Sequence, residues 1–255
     1  MIFQNFGFNQ NYPISEVAPF VSGIQPLAVS SSLYAYYDVA FTSSYSASGQ
    51  TTIFDLSGNN RTGSVSANWN YNSSSVSGSF LRLATSTNTN TIAMPALTLT
   101  GSVTFVSAWF LQSATYQFSG AELFAGLDPE AYGMFIGDQT TYGSRVLFVI
   151  NDQFALTQAP TGSASSGSWH ISQFSFNDAS NNLNWCMDGI TGSFTLSATI
   201  STGTLTPKFN FDNSSLPNRY LNSGSTMQVM ALYTGSLTTA ELLQNHNSLK
   251  ARYGL

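Results

Sequence analysis

Chemistry in this chain has to come from very few side chains. Of 255 residues, 12 are Asp or Glu, 7 are Lys or Arg, 2 are His and 1 is Cys. The densest acidic stretch is "AELFAGLDPEAYG", which carries Glu122, Asp128 and Glu130. Glycoside hydrolysis needs two carboxylates roughly 5–9 Å apart, one acting as acid and the other as base or nucleophile. A strand presents such a pair at i and i+2 or i+4. Here Asp128 and Glu130 flank Pro129 and read as loop residues, and Glu122 stands apart from both. No catalytic role is expected of them. His170 and His246 do not assemble with a Ser and an Asp into a nucleophilic set. His246 reads as a helix-face residue, because no second His or carboxylate lies at metal-ligand spacing from it. Cys186 is alone, so no intrachain disulfide forms. With no basic neighbour in sequence, it reads as a small apolar side chain in a strand.

The other chemistry on offer is recognition of sugars, through an aromatic platform edged by Asn or Asp. Two stretches read as loops that supply it. "ANWNYNSSS" (67–75) holds Trp69, Tyr71 and Asn72, and "DQTTYGSR" (138–145) holds Tyr142. Trp69 either offers its ring to a ligand or packs beneath its own loop.

These residues need a scaffold, and the composition describes one. Only 7% of the chain is charged while 42% is hydrophobic and 14% aromatic; an ordinary globular domain is roughly 25% charged. Ser, Thr, Asn and Gly fill that place, and they suit turns and exposed strand faces better than helix interiors. The chain is long enough for one large domain or two small ones. Net charge is -5, and the seven basic residues are scattered singly. No basic patch exists for a phosphate backbone or an anionic membrane, so nucleic acid and membrane insertion are both excluded as expectations.

"SVTFVSAWFL" (102–111) is apolar on both alternating faces, which marks a central strand covered on both sides. "RVLFVI" (145–150) and "MQVMALY" (227–233) read as buried strands. "GSFTLSATI" (192–200) alternates Phe194, Leu196 and Ala198 with polar residues and reads as half-exposed. In "DLSGNN" (55–60), Asp55 and Ser57 can bond nearby backbone N–H groups, and Gly58-Asn59-Asn60 tolerates positive φ. Asp188-Gly189 is a hairpin turn signal. The one convincing helix lies at the end, where Thr238 and Glu241 form a capping box. Leu242, Leu243, His246 and Leu249 make its stripe, Lys250 and Arg252 fall in the last turn, and Gly254 stops it.

Residues 1–30 differ from the rest. They hold Pro13, Pro19 and Pro26 and apolar residues with no period. This reads as an extended arm ahead of a domain spanning residues 31–255. Phe3, Phe6, Phe8, Tyr12 and Phe20 are too apolar for a solvated tail, so they are expected to dock on a subunit surface. The first residues carry no basic run and no long apolar run, so neither a secretory signal nor a membrane span is expected there.

Five segments, in order, resemble laminin-G-like domains of the concanavalin-A-like jelly-roll class. They are Tyr37-Asp38 with Ser44-Tyr45 and "DLSGNN"; "SGSFLRLATSTNTNTIAMP"; "SVTFVSAWF"; "WHISQFSFNDASNNLNWCMDG"; and "MQVMALYTGSLTTAELLQNHNSLKARYG". The resemblance spans roughly residues 33–255. It implies an all-β, two-sheet antiparallel jelly-roll sandwich with a short C-terminal helix, and a structural place for His170 at the start of a hairpin. Some members are glycoside hydrolases, but their Glu-x-Asp-x-x-Glu signature is absent here. Many hold Ca²⁺ at the sandwich edge; Asp128, Glu130 and Asp138 are the candidate ligands, although no dense acidic run surrounds them. The expected function is a non-enzymatic surface component of a virion. It would be attached through the arm to other virion proteins or to copies of itself, with capacity for host surface glycans. The alternative is a carbohydrate-binding or adhesin module outside a bacterial cell, and a glycoside hydrolase ranks last.

Overall fold

Short runs of β-branched and aromatic residues, broken by Gly, Asn and Ser, cannot nucleate helices but pair well across strands. The computed structural model describes residues 27–75, 77–85, 90–99, 101–112, 120–125, 132–137, 146–150, 153–156, 164–197, 203–210 and 221–255. The elements are β1 (Leu33–Asp38), β2 (Thr52–Ile53), β3 (Gly63–Val65), β4 (Trp69–Ser74), β5 (Gly78–Leu83), β6 (Ile92–Ala93), β7 (Leu97–Leu99), β8 (Val103–Leu111), β9 (Gly120–Ala125), β10 (Tyr132–Gly137), β11 (Val146–Ile150), β12 (Gln153–Leu156), β13 (Ser168–Asn177), β14 (Asn182–Met187), β15 (Ile190–Thr195), β16 (Gly203–Leu205), β17 (Lys208–Phe209), β18 (Thr226–Tyr233) and α1 (Thr239–Leu249), the last followed by a 3-10 turn at Lys250–Arg252.

One sheet runs β15-β14-β13-β8-β18-β5-β4, with β1 also pairing β18. The other runs β12-β11-β10-β9-β17-β6-β3-β2, and β16 pairs β7 apart from both. The sheets share one core. Trp69, Leu81, Phe105, Trp109, Phe174 and Trp185 from the first meet Ile53, Val65, Ile92, Val146 and Phe209 from the second. This is the all-β sandwich expected, with β8 at the centre of its sheet between β13 and β18.

The first sheet is covered on its other side too. Val106, Ala108, Ile171, Val229 and Ala231 face outward from it and pack with Leu237, Leu242 and Leu249 of the helical end. This is why β8 and β18 are apolar on both faces. The capping box at Thr238 and Glu241 is formed as read. The stripe differs by one position. Leu243 is exposed while Asn245 is buried, because the Asn245 amide serves one backbone N–H and one tyrosine hydroxyl. Its Oδ1 accepts from Val29 N at 2.9 Å and its Nδ2 donates to the Tyr233 hydroxyl at 3.1 Å. Leu27 and Val29 are themselves buried in this layer, so contacts with the domain begin before residue 31, where the sequence set its boundary. Among the described residues no helix is long and apolar enough to cross a membrane.

His246 lies on the Gly189 turn, close enough that a Cβ there would stand 3.0 Å from its Nε2. Its Nδ1 is buried without a partner among the described residues. Burial lowers its pKa below 6.5, with Lys250 adding to the effect and Asp188 opposing it. The unfolded chain therefore binds this proton more readily than the folded one, and stability falls as pH drops below about 6.5. Urea midpoints measured across this range are expected to decline with falling pH in the native chain and to decline less in His246→Gln. Equal slopes would assign the decline to other groups.

Candidate functional site

Of the residues singled out for sugar recognition, Trp69, Tyr71 and Asn72 lie on one strand and do not share a face. Residues 69–74 form strand β4, and a strand sends successive side chains to opposite faces. Trp69 therefore points inward. It is 4% exposed and its ring lies 6.1 Å from that of Phe209 in the second sheet. Tyr71 follows it inward, with its ring 5.8 Å from Tyr45 and its hydroxyl donating to Ser79 Oγ at 2.8 Å. This corrects the reading of Trp69 and Tyr71 as an exposed platform: the stretch taken for a loop is a strand with its aromatics in the core. Only Asn72 and its neighbour Asn70 face outward. Tyr142, the calcium candidates Asp128, Glu130 and Asp138, and the arm residues Phe3, Phe6, Phe8, Tyr12 and Phe20 lie outside the described residues. Of Glu122 only the backbone is described; it pairs with Phe135 between β9 and β10. Among the described residues no cluster of three His, Cys, Asp or Glu could hold a metal ion.

The most concentrated polar chemistry inside the sandwich is structural. His170 Nδ1 lies 2.7 Å from Asp188 Oδ2, and its Nε2 lies 2.9 Å from the carbonyl oxygen of Ser165. Both ring nitrogens are thus engaged, and neither is left to take a proton from a nucleophile. Asp188 also accepts from Ile171 N at 2.7 Å. It occupies positive φ with Gly189 after it, the two residues of a tight β14–β15 hairpin turn. Burial pushes the Cys186 thiol up to about 12, so it is not a thiolate nucleophile at neutral pH. Asp55 is likewise a clamp. Its carboxylate accepts from the backbone N–H groups of Tyr36, Ser57 and Arg61 at 2.9–3.0 Å, so "DLSGNN" is the self-bonded turn the sequence suggested, tied to β1.

The surface that stands out is on the outer face of the first sheet, where helix α1 stops covering it. Register gives one row across five strands: Trp169 on β13 opposes Phe110 on β8, Phe110 opposes Thr226 on β18, Thr226 opposes Arg82 on β5, and Arg82 opposes Asn70 on β4. Phe80, two residues before Arg82, opposes Asn72. The rings form a cluster. Trp169 lies 6.0 Å from Phe80, 5.8 Å from Phe110 and 4.7 Å from Tyr253. All four remain partly open to solvent, and Arg82 and Asn70 are exposed beside them.

Two devices set this row. A bulge in β18 between Met227 and Val229 returns Thr226 to the outer face. The side chain of Gln228, at the bulge, donates to the carbonyls of Ser77 and Ser79 at 2.6 and 2.7 Å and accepts from the Tyr253 hydroxyl. The C-terminal turn that carries Tyr253 is pinned in turn by a buried ion pair, Arg252 Nη1 to Asp38 Oδ2 at 2.7 Å. Sequence reasoning missed Trp169, Phe110, Phe80, Tyr253 and Arg82. Phe110 alternates with Trp109 and Leu111 along β8, but its partners depend on strand order.

No family model matches the chain, and no curated protein matches it in sequence. Its fold is similar to solved structures. One is the binding domain of paraclostridial mosquitocidal protein 1, with a TM-score of 0.63 and 14% identity over 86% of this chain and 52% of that one. A second is a botulinum neurotoxin type C structure, TM-score 0.62 and 12% identity over 87% and 52%, of a toxin whose cell entry depends upon interaction with two ganglioside molecules. A third is the binding domain of botulinum neurotoxin DC in complex with rat synaptotagmin II, TM-score 0.60 and 12% identity over 87% and 52%. The chain thus spans about half the length of these proteins, and the likeness is one of fold.

Proposed function

We propose that this chain is a non-catalytic binding protein that holds carbohydrate on the outer face of its first sheet. The observation that carries this reading is the ring cluster of Phe80, Phe110, Trp169 and Tyr253, partly open to solvent and bordered by Arg82, Asn70 and Asn72. Apolar surface rimmed by polar side chains marks an interaction site. Flat rings beside amides and a guanidinium suit a ligand with apolar ring faces and polar edges. The similarly folded toxin structures, one of a toxin whose cell entry depends upon interaction with two ganglioside molecules and one in complex with rat synaptotagmin II, support a binding role in kind.

The finer setting is the surface of a virion, with residues 1–30 attaching the domain to neighbouring copies or to other virion proteins. Its support is the chain's scarcity of charge and the aromatic content of that arm, with Phe3, Phe6, Phe8, Tyr12 and Phe20 within twenty residues.

The test is a glycan array read alongside a reducing-sugar assay. The full chain is expected to retain glycans and release no sugar. Trp169→Ala is expected to weaken retention about tenfold or more, as loss of an aromatic anchor does, with its melting curve still cooperative. Trp69→Ala cannot serve, because that ring belongs to the core. Sugar release that Glu122→Gln or Glu130→Gln abolishes would make the protein an enzyme and end this reading.

A further inference from the structure

The cation in the aromatic row has no counter-charge among the described residues. Arg82 is exposed on β5, and its registered neighbours Thr226 and Asn70 are both neutral. Arg252 is held by Asp38, and Arg61 by the Tyr34 hydroxyl at 2.8 Å, whereas Arg82 makes no ion pair among the described residues. A second observation lies next to it. Thr226 is buried in the row between Phe110 and Arg82, and its Oγ1 has no partner among the described residues. An open guanidinium and an unsatisfied hydroxyl thus stand side by side at the edge of the rings, in a chain of net charge -5.

The geometry points to an acidic oligosaccharide as the ligand: one that lays its ring faces on Trp169 and Phe110 and places a carboxylate on Arg82. The inference rests on the carbohydrate reading above and adds the charge. A planar guanidinium offers two parallel N–H donors that match a carboxylate's two oxygens. The backbones of Trp169 and Arg82 are three strand spacings apart, about 14 Å along the row, and the Trp169 ring reaches across to 6.0 Å from that of Phe80 on the strand of Arg82, so one short oligosaccharide can meet both ring and guanidinium. Asn70 and Asn72 continue the row at its far side. Asn72 already gives one amide hydrogen to the Asn70 carbonyl at 2.9 Å and keeps its Oδ1 and second hydrogen for hydroxyl groups.

The test presents the full chain with oligosaccharides in matched pairs, with and without a carboxylate, sialic and glucuronic acid sugars among them. The carboxylated member of at least one pair is expected to bind about tenfold tighter, the worth of one charge-assisted hydrogen-bonding partner. Arg82→Gln is expected to remove that preference, weakening the carboxylated member about tenfold more than the neutral one. Arg82→Lys keeps part of it, and Trp169→Ala weakens both members. Matched pairs that bind equally, or a preference that survives Arg82→Gln, overturn the assignment of charge while the carbohydrate surface stands. Failure of every sugar to bind overturns both.

Discussion

Replacing Trp109 by alanine is expected to lower the unfolding free energy by about 3–5 kcal/mol, the range for removing a large buried aromatic. Trp109 is 0% exposed. It sits on the inner face of β8, the strand with paired neighbours on both sides. Its indole Nε1 donates to Ser172 Oγ at 2.7 Å, and Ser172 meets Ser107 Oγ at 3.1 Å. Its ring lies 4.8 Å from that of His170, which the Asp188 turn holds in place. The alanine variant leaves a void and also leaves two buried hydroxyl groups facing it, so relaxation recovers little. Urea unfolding followed by far-UV circular dichroism measures this. A loss of about 1 kcal/mol, the size of an average substitution, would place Trp109 outside the core.

The second large effect is expected at the C-terminal turn. Asp38 and Arg252 have side chains 0% and 1% exposed. Breaking such a pair from one side leaves an uncompensated buried charge and costs about 3–5 kcal/mol. Burial alone would lower the Arg252 pKa, but Asp38, Tyr36 and Tyr253 together raise it above its ordinary value, so the guanidinium stays charged. Asp38 is held by more than its partner: Tyr36 donates its hydroxyl at 2.7 Å and Ala40 its N–H at 3.0 Å. Arg252→Ala strands this carboxylate, while the double variant Asp38→Asn, Arg252→Met removes both charges. The double variant is expected to be more stable than Arg252→Ala, because a neutral pair leaves no buried ion. A double variant with the summed loss of the two single ones would show that the ions do not interact. The single variants should also weaken any ligand that relies on Tyr253, whose ring is carried by the residue after Arg252.

Much of the scaffold was readable because its signals are local. The 102–111 strand announces two covered faces by itself. Asp188-Gly189 forces a tight turn through its conformational needs, and Thr238 with Glu241 closes the helix start within four residues. What escaped reading depends on partners remote in sequence. Stretch 67–75 looked like a loop because Asn and Ser surround its aromatics. Only pairing with β5 shows that Trp69 and Tyr71 are the inward half of an alternation. Arg252 looked like a last-turn cation facing the helix dipole, yet its partner is Asp38, at the opposite end of the chain. Asn245 was not among the residues of the helix stripe, but it is the link to Val29. The candidate row was hardest of all, since Trp169, Phe110, Thr226, Arg82 and Asn70 sit on five strands, and β18, the last in sequence, lies between β8 and β5 in the sheet.

The placement of β18 sets the order in which the molecule can be made. It pairs with β8 on one side and, on the other, with β5 and β1 in succession across the bulge. It is also the last strand, at residues 226–233. Before it emerges from the ribosome, the first sheet is two fragments, β15-β14-β13-β8 and β5-β4, with β1 attached to neither. The earliest and latest parts then close together, through β1 against β18, Val29 against Asn245 and Asp38 against Arg252. Contacts separated by so much chain are slow to form. Completion of the sandwich therefore waits for β18, and the nascent chain carries exposed strand edges until then. Such edges are the surfaces on which incomplete β proteins aggregate.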